Sequence, residues 1–218
     1  IISGARIIPK EVIECFPDGV VYFHPGSIPE TSGLDSFYWM LKKKSLPGTT
    51  VHLIDERVDA GRLIFFHELE IDKRDDLVTL KSRLYQNQIA ALDRWLKNYS
   101  KCHNLITSPI SRPSKNKTMS LVEKQVVVDS ASQWFTWVLE QQNSFKKCSN
   151  AILSDDLQKF KLSFKSGFQY RKNIYGRTLL AESAFYQRHD IAKFLIENGA
   201  DINAKNMKGT TVIMYAKS

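Results

Sequence analysis

The segment Gly176-Arg177-Thr178-Leu179-Leu180-Ala181 recurs as Gly209-Thr210-Thr211-Val212-Ile213-Met214, a period of 33 residues. Between the copies lies Asp190-Ile191-Ala192-Lys193-Phe194-Leu195-Ile196-Glu197-Asn198-Gly199-Ala200-Asp201-Ile202-Asn203-Ala204. A fixed period of this length means one supersecondary unit used repeatedly, each copy burying its apolar face only against a neighbour. Gly199 stands where a helix has to end in a left-handed turn, a conformation glycine adopts without a Cβ clash. A weaker copy runs from Asp156 to Lys172, with its own glycine at Gly167, and the second full copy stops at Ser218, inside or just after its first helix. About three repeats are needed for a stack to stand alone. This short stack is therefore expected to lean on the helix before it.

The other end of the chain has a different texture. Val20–Phe23 is a continuous apolar run, which reads as a buried strand of a parallel sheet. Leu34 to Lys44 reads as a helix closed by Pro47-Gly48, and Thr50–Ile54 and Arg62–Leu69 as strands. Leu77, Leu80, Leu84, Leu92, Trp95, Leu96 and Tyr99 fall at helical spacing behind the capping residues Asp75 and Asp76. Residues 107–118 are polar, with two prolines and no periodicity, and read as a linker. A helix is expected from Leu121 to Gln142, with Trp134, Phe135, Trp137 and Val138 as packing bulk.

Charge divides the same way. Residues 1–100 hold 13 Lys/Arg against 14 Asp/Glu, and residues 101–218 hold 18 against 9, which accounts for the net charge of +8. Without aromatic residues interleaved for base stacking, this basic excess reads as a solvated face, and no nucleic-acid partner is expected. No run of about 18 apolar residues exists, and the start lacks a basic segment followed by an apolar core, so neither a membrane span nor a signal peptide is expected. Cys15, Cys102 and Cys148 form neither a zinc pattern nor a disulfide framework, which fits a reducing, cytoplasmic compartment and no metal.

The chemistry concentrates in two segments. His24-Pro25-Gly26-Ser27-Ile28-Pro29 follows one apolar run, and Asp55-Glu56-Arg57-Val58-Asp59-Ala60-Gly61 follows another, placing His24 and Asp59 35 residues apart. A histidine and an aspartate at two strand ends can meet, and the carboxylate can then fix the imidazole tautomer for proton transfer in acyl chemistry. Pro25 and Gly26 force a tight turn directly after the histidine.

Gly19-Val20-Val21-Tyr22-Phe23-His24-Pro25-Gly26, Gly33-Leu34-Asp35, Gly48-Thr49-Thr50-Val51-His52 and Val58-Asp59-Ala60-Gly61, preceded by Gly4-Ala5-Arg6-Ile7-Ile8-Pro9-Lys10, resemble the second half of the catalytic domain of folate-dependent formyltransferases. The 33-residue period resembles ankyrin repeats. Together these imply an α/β fold: a partial Rossmann-like formyltransferase core without its N-terminal units, followed by an α-helical ankyrin segment. The implied organisation is residues 1–106 for the C-terminal half of the catalytic domain, 107–120 for a linker, 121–150 for a connecting helix and 151–218 for about two repeats. The family's earlier β/α units are not in this chain, which reads as a fragment of a longer protein or a decayed remnant, with Val20–Phe23 exposing an edge or an apolar face.

The resemblance assigns the proton carrier to His24 and its partner to Asp59. Where the family places an asparagine as oxyanion donor, this chain has Tyr22, whose hydroxyl lies further from the backbone. By resemblance Ile7, Ile8, Pro9, Ile54, Asp55, Glu56 and Val58 contact the co-substrate N10-formyltetrahydrofolate. The ankyrin tail points to sugar N-formyltransferases that act on a nucleotide-linked amino sugar, the class that builds surface polysaccharide such as lipopolysaccharide. A methionyl-tRNA formyltransferase is the alternative acceptor class. An inactive remnant or an ankyrin interaction module, with a protein partner or a homodimer, is the non-enzymatic alternative.

Overall fold

The computed structural model describes residues 8–57, 59–98, 107–110, 116–173, 175–206 and 208–216 of the chain. It has two compact units, residues 1–139 and 140–218.

The first unit is built on a four-stranded sheet of order β1-β2-β3-β4, with β1 Val21–Pro25, β2 Gly48–Leu53, β3 Arg62–Glu68 and β4 Ser108–Pro109. Every neighbouring pair is antiparallel. This corrects the parallel reading of Val20–Phe23. A continuous apolar run reports burial on both faces, and Val20, Val21 and Phe23 are indeed buried, but it says nothing of the direction of the neighbour. Among the described strands β1 is the edge of this sheet, and its apolar side chains are covered.

Three helices precede or close the sheet: α1 Lys10–Glu14, α2 Ser36–Lys42 and α3 Leu77–Asn98. α3 lies on β1 and β2. It buries Leu80, Leu84 and Ala91 at helical spacing, and two polar contacts fix its seat. Thr49 Oγ1 donates to Asn87 Oδ1 at 2.7 Å, and Gln88 Nε2 donates to the Phe23 carbonyl at 3.0 Å. Asp76 caps α3 by accepting the Thr79 amide, whereas Asp75 accepts from the Asp72 amide and from Arg83 instead.

The expected helix from Leu121 to Gln142 is two helices, α4 Leu121–Asp129 and α5 Ala131–Leu153. α4 starts at a capping box between Ser120 and Glu123 and ends at Ser130, whose hydroxyl donates to the Val127 carbonyl at 3.0 Å. Trp134 and Val138 of α5 pack with Met40, Leu41, Leu80 and Val127 in the first unit's core, and the buried Trp134 indole N–H donates to the Ser45 carbonyl at 3.0 Å.

The described part of the prolyl segment is tied to the sheet unit. β4 pairs with β3, and Asn116 bridges to Gly33. A polar, prolyl sequence hides these contacts because they are made by backbone and amide groups rather than by periodic apolar residues.

In the second unit the later part of α5 is the support. Phe145, Cys148, Ala151 and Ile152 join Phe160, Leu179, Leu180, Ile191 and Leu195 in one core. The apolar support of the stack comes from residues 145–152, and Arg171 also donates to the Gln141 carbonyl at 3.2 Å. Burial raises the Cys148 thiol to about 12, which makes it an inert apolar filler. The helices here are α6 Leu157–Ser163, α7 Leu179–Phe185, α8 His189–Glu197 and α9 Val212–Ala216.

The 33-residue period is visible in the geometry. Lys172 bridges Thr178 and Lys205 bridges Thr211. Asn173 Oδ1 accepts the Tyr175 and Arg177 amides, as Asn206 Oδ1 accepts those of Lys208 and Thr210. Gly176 and Gly209 close those turns at φ +72° and +80°. Glu182 is half-buried between Ser149 and Asn173. Burial pushes its carboxyl up, against the hydrogen bonds from those two side chains.

Candidate active site

β1 ends at His24-Pro25, and Gly26 opens a turn that returns the chain to Gly33. β2 ends at Leu53, and the connection to β3 turns through Asp59 at φ +49° and Gly61 at φ +108°. A Cβ on Gly61 would run into the Leu53 carbonyl, so only glycine permits this return. The two turns meet. His24 Nδ1 lies 3.3 Å from Asp59 Oδ1, with the two side chains 4% and 11% exposed. The other carboxylate oxygen, Asp59 Oδ2, accepts the Gly33 amide at 2.5 Å. Burial on its own would raise the Asp59 carboxyl. The hydrogen bond and charge of His24, with the Gly33 amide, outweigh it and hold the group below the usual carboxylate value. Asp59 is thus an anion facing an imidazole N–H.

His52 is fully buried beside this pair. It sits opposite Tyr22 in the β1–β2 register, next to an irregularity in the β2–β3 pairing between Val51 and His52. Its Nδ1 donates to the Ala60 carbonyl at 3.0 Å, and its Nε2 has no hydrogen-bond partner among the described residues. Burial first, then the charge of His24, lowers its pKa to about 4, so the ring is neutral. Tyr22 stands edge-on to His52, with ring centroids 5.7 Å apart, and lies 6.4 Å from the His24 ring. The strand therefore presents Tyr22 and His24 on the face that holds His52, as the period of two requires.

The residues assigned to folate contact fall elsewhere. Ile54, Asp55 and Glu56 line an open groove of about 430 Å³ together with Lys10, Ile13, Glu14 and Arg57. Ile8 and Pro9 lead into α1 at its side, while Ile7 and Val58 lie outside the described residues. His24 and Asp59 do not line the groove. Its charges are mutually paired. Asp55 chelates Arg57, which holds the Asp55 carboxyl down, and Lys10 lies 3.7 Å from Glu14 and 3.6 Å from Glu56. Among the described residues no group of three or more His, Cys, Asp or Glu is placed to hold a metal, and no helix is long and apolar enough to cross a membrane.

Residues 2–96 match the formyl transferase family, and residues 175–207 match the ankyrin repeat. The N-terminal segment is similar to the folate-dependent formyltransferases. Methionyl-tRNA formyltransferase of Caldicellulosiruptor saccharolyticus is 29% identical over 101 residues, which are 46% of this chain and 32% of that protein. Phosphoribosylglycinamide formyltransferase of Bacillus subtilis is 28% identical over 82 residues, 37% of this chain and 42% of that protein. The chain thus spans about a third of the length of one curated relative and two fifths of the other. Among solved structures, the formyltransferase PseJ from Anoxybacillus kamchatkensis, in complex with a UDP-linked formamido sugar and tetrahydrofolate, aligns with a TM-score of 0.44 at 24% identity, covering 56% of this chain and 62% of that one.

Three contributors to the site were not read from the sequence: Thr31, the Gly33 amide and His52. Thr31 and Gly33 act through the turn that follows His24, and nothing in their spacing announces it. His52 alternates with Thr50 and could have been flagged as a second histidine on the strand opposite Tyr22.

Proposed function

We propose that this segment supplies the proton-transfer half of an N-formyltransferase site, moving a formyl group from N10-formyltetrahydrofolate to the amine of a nucleotide-linked amino sugar. The observation that supports it is the His24 Nδ1 to Asp59 Oδ1 contact of 3.3 Å at the junction of two turns. In the reaction the amine nitrogen attacks the formyl carbon, and the bond from that carbon to the folate N10 breaks. The proton lost by the amine ends on N10. A carboxylate-oriented imidazole is suited to carry it. Tyr22 stands where an oxyanion donor is expected, and Asp55, Glu56 and Ile54, assigned to folate by resemblance, share one groove.

The sugar acceptor is favoured by the ankyrin match at residues 175–207, which accompanies the formyltransferase segment. The name of the Caldicellulosiruptor saccharolyticus relative supports methionyl-tRNA as the second acceptor class. Offering the protein N10-formyltetrahydrofolate with a panel of nucleotide-linked amino sugars, and separately with methionyl-tRNA, decides between them by the mass gain of one formyl group on the acceptor. Gain on a sugar is expected. Gain on methionyl-tRNA alone would replace the acceptor, and gain on neither would remove the enzymatic reading and leave the ankyrin unit as a protein-binding module.

A further inference from the structure

We infer that Thr31 is a positioning residue for His24, holding Nε2, the ring nitrogen that faces away from Asp59. His24 Nε2 lies 3.1 Å from the Thr31 carbonyl oxygen and 3.2 Å from its hydroxyl oxygen. Both residues are buried, Thr31 completely. The carbonyl can only accept. The hydroxyl spends its one hydrogen on the Ser27 carbonyl at 2.9 Å, so toward His24 it also accepts. Two acceptors therefore converge on Nε2 while an anionic carboxylate faces Nδ1, an arrangement satisfied by an N–H on each nitrogen.

The turn that brings Thr31 there is fixed from both sides. Gly26 has no side chain, and a Cβ on it would overlap the Thr31 hydroxyl. Thr50 Oγ1 donates to the Gly26 carbonyl at 2.5 Å and accepts the Ile28 amide at 3.1 Å. On the outer side Asn116 Nδ2 donates to the carbonyls of Glu30 and Ser32, each at 2.8 Å. The imidazole thus cannot flip without breaking contacts that the turn is held to make.

The hydroxyl does something the carbonyl cannot. When Nε2 gives up its proton, the bare lone pair faces a carbonyl that repels it. A threonine hydroxyl can rotate its hydrogen from Ser27 to that lone pair and partner the ring in either protonation state. This suits a group that must load and unload a proton within a buried site. The catalytic consequence rests on the formyl-transfer reading above, whereas the contact itself does not.

The test uses Thr31→Val, which keeps the shape and loses the hydroxyl, and Thr31→Ser, which keeps the hydroxyl and loses the methyl. Solvent exchange of the His24 Nε2–H, followed by ¹H–¹⁵N NMR of the imidazole, is expected to quicken about fivefold to tenfold in Thr31→Val, the factor for losing one net hydrogen bond. Thr31→Ser restores the protection. In formyl transfer, Thr31→Val lowers kcat by a similar factor and leaves KM in place. A valine variant with unchanged exchange, or a serine variant as impaired as valine, overturns the proposal. Should valine prevent folding, Gly26→Ala displaces the hydroxyl from the other side, and undiminished protection there also overturns it. Absence of transfer by the unaltered protein would strike the formyl-transfer reading alone, because the exchange measurement still judges Thr31.

Discussion

At the scale of residues, the site is a contest between burial and hydrogen bonding. Asp59 is retained as an anion because His24 and the Gly33 amide outweigh its desolvation. Replacing Asp59 with asparagine keeps the shape but removes the anion, and turnover is expected to fall by about 10²–10⁴, the usual worth of positioned acid–base help. Steady-state rates across both forms check this. Tyr22→Asn is expected to raise turnover, since a well-placed oxyanion donor is worth about 10²–10³. An unchanged rate would show that this position does not limit the reaction. The His24–Asp59 pair was legible because both ends of it follow apolar runs and precede a glycine. Thr31 was not, because the contact depends on the path of a turn rather than on any spacing.

At the scale of elements, local chemistry decides where helices and strands stop. Strand and helix positions in the first unit follow from apolar pattern, yet the direction of β1 does not, because pairing direction depends on connections rather than on the strand's own residues. The break at Ser130 was equally hidden, because the apolar residues run on either side of it. Ser120→Ala removes the capping box of α4 and should cost about 0.5–2 kcal/mol of first-unit stability, read from the urea midpoint. Gly48→Ala should cost about 1–3 kcal/mol by the same measurement, since its Cβ would press on the backbone of β3 at His67 and Glu68 and on the Phe66 ring. In the second unit, the repeat was legible because its period is carried by glycines and apolar residues together. The half-buried Asn173–Glu182–Ser149 contact was not, since a polar contact leaves no periodic trace.

At the scale of the molecule, Trp39, Trp95, Trp134 and Trp137 all belong to the first unit, so tryptophan fluorescence reports its unfolding selectively. His52 gives that unit a pH dependence. Its folded pKa of about 4 lies below the ordinary value of roughly 6.5, so the unfolded chain binds the extra proton. Stability is then complete above roughly pH 6.5 and declines as pH falls toward 4, by roughly 2 kcal/mol at about pH 5. Asp59, held low, adds a further loss only below about pH 4. Urea midpoints followed by fluorescence at about pH 7.5 and about pH 5 should show the decline. A His52→Asn variant should flatten it between those two values.

The central claim is that His24 carries the proton in formyl transfer. The most direct test is the rate of formyl transfer from N10-formyltetrahydrofolate to the amino-sugar acceptor, measured for the unaltered protein and for His24→Ala, with tryptophan fluorescence confirming that both are folded. The account predicts a loss of at least about 10² in rate with the fold kept. A folded His24→Ala protein that transfers formyl at the original rate would contradict it.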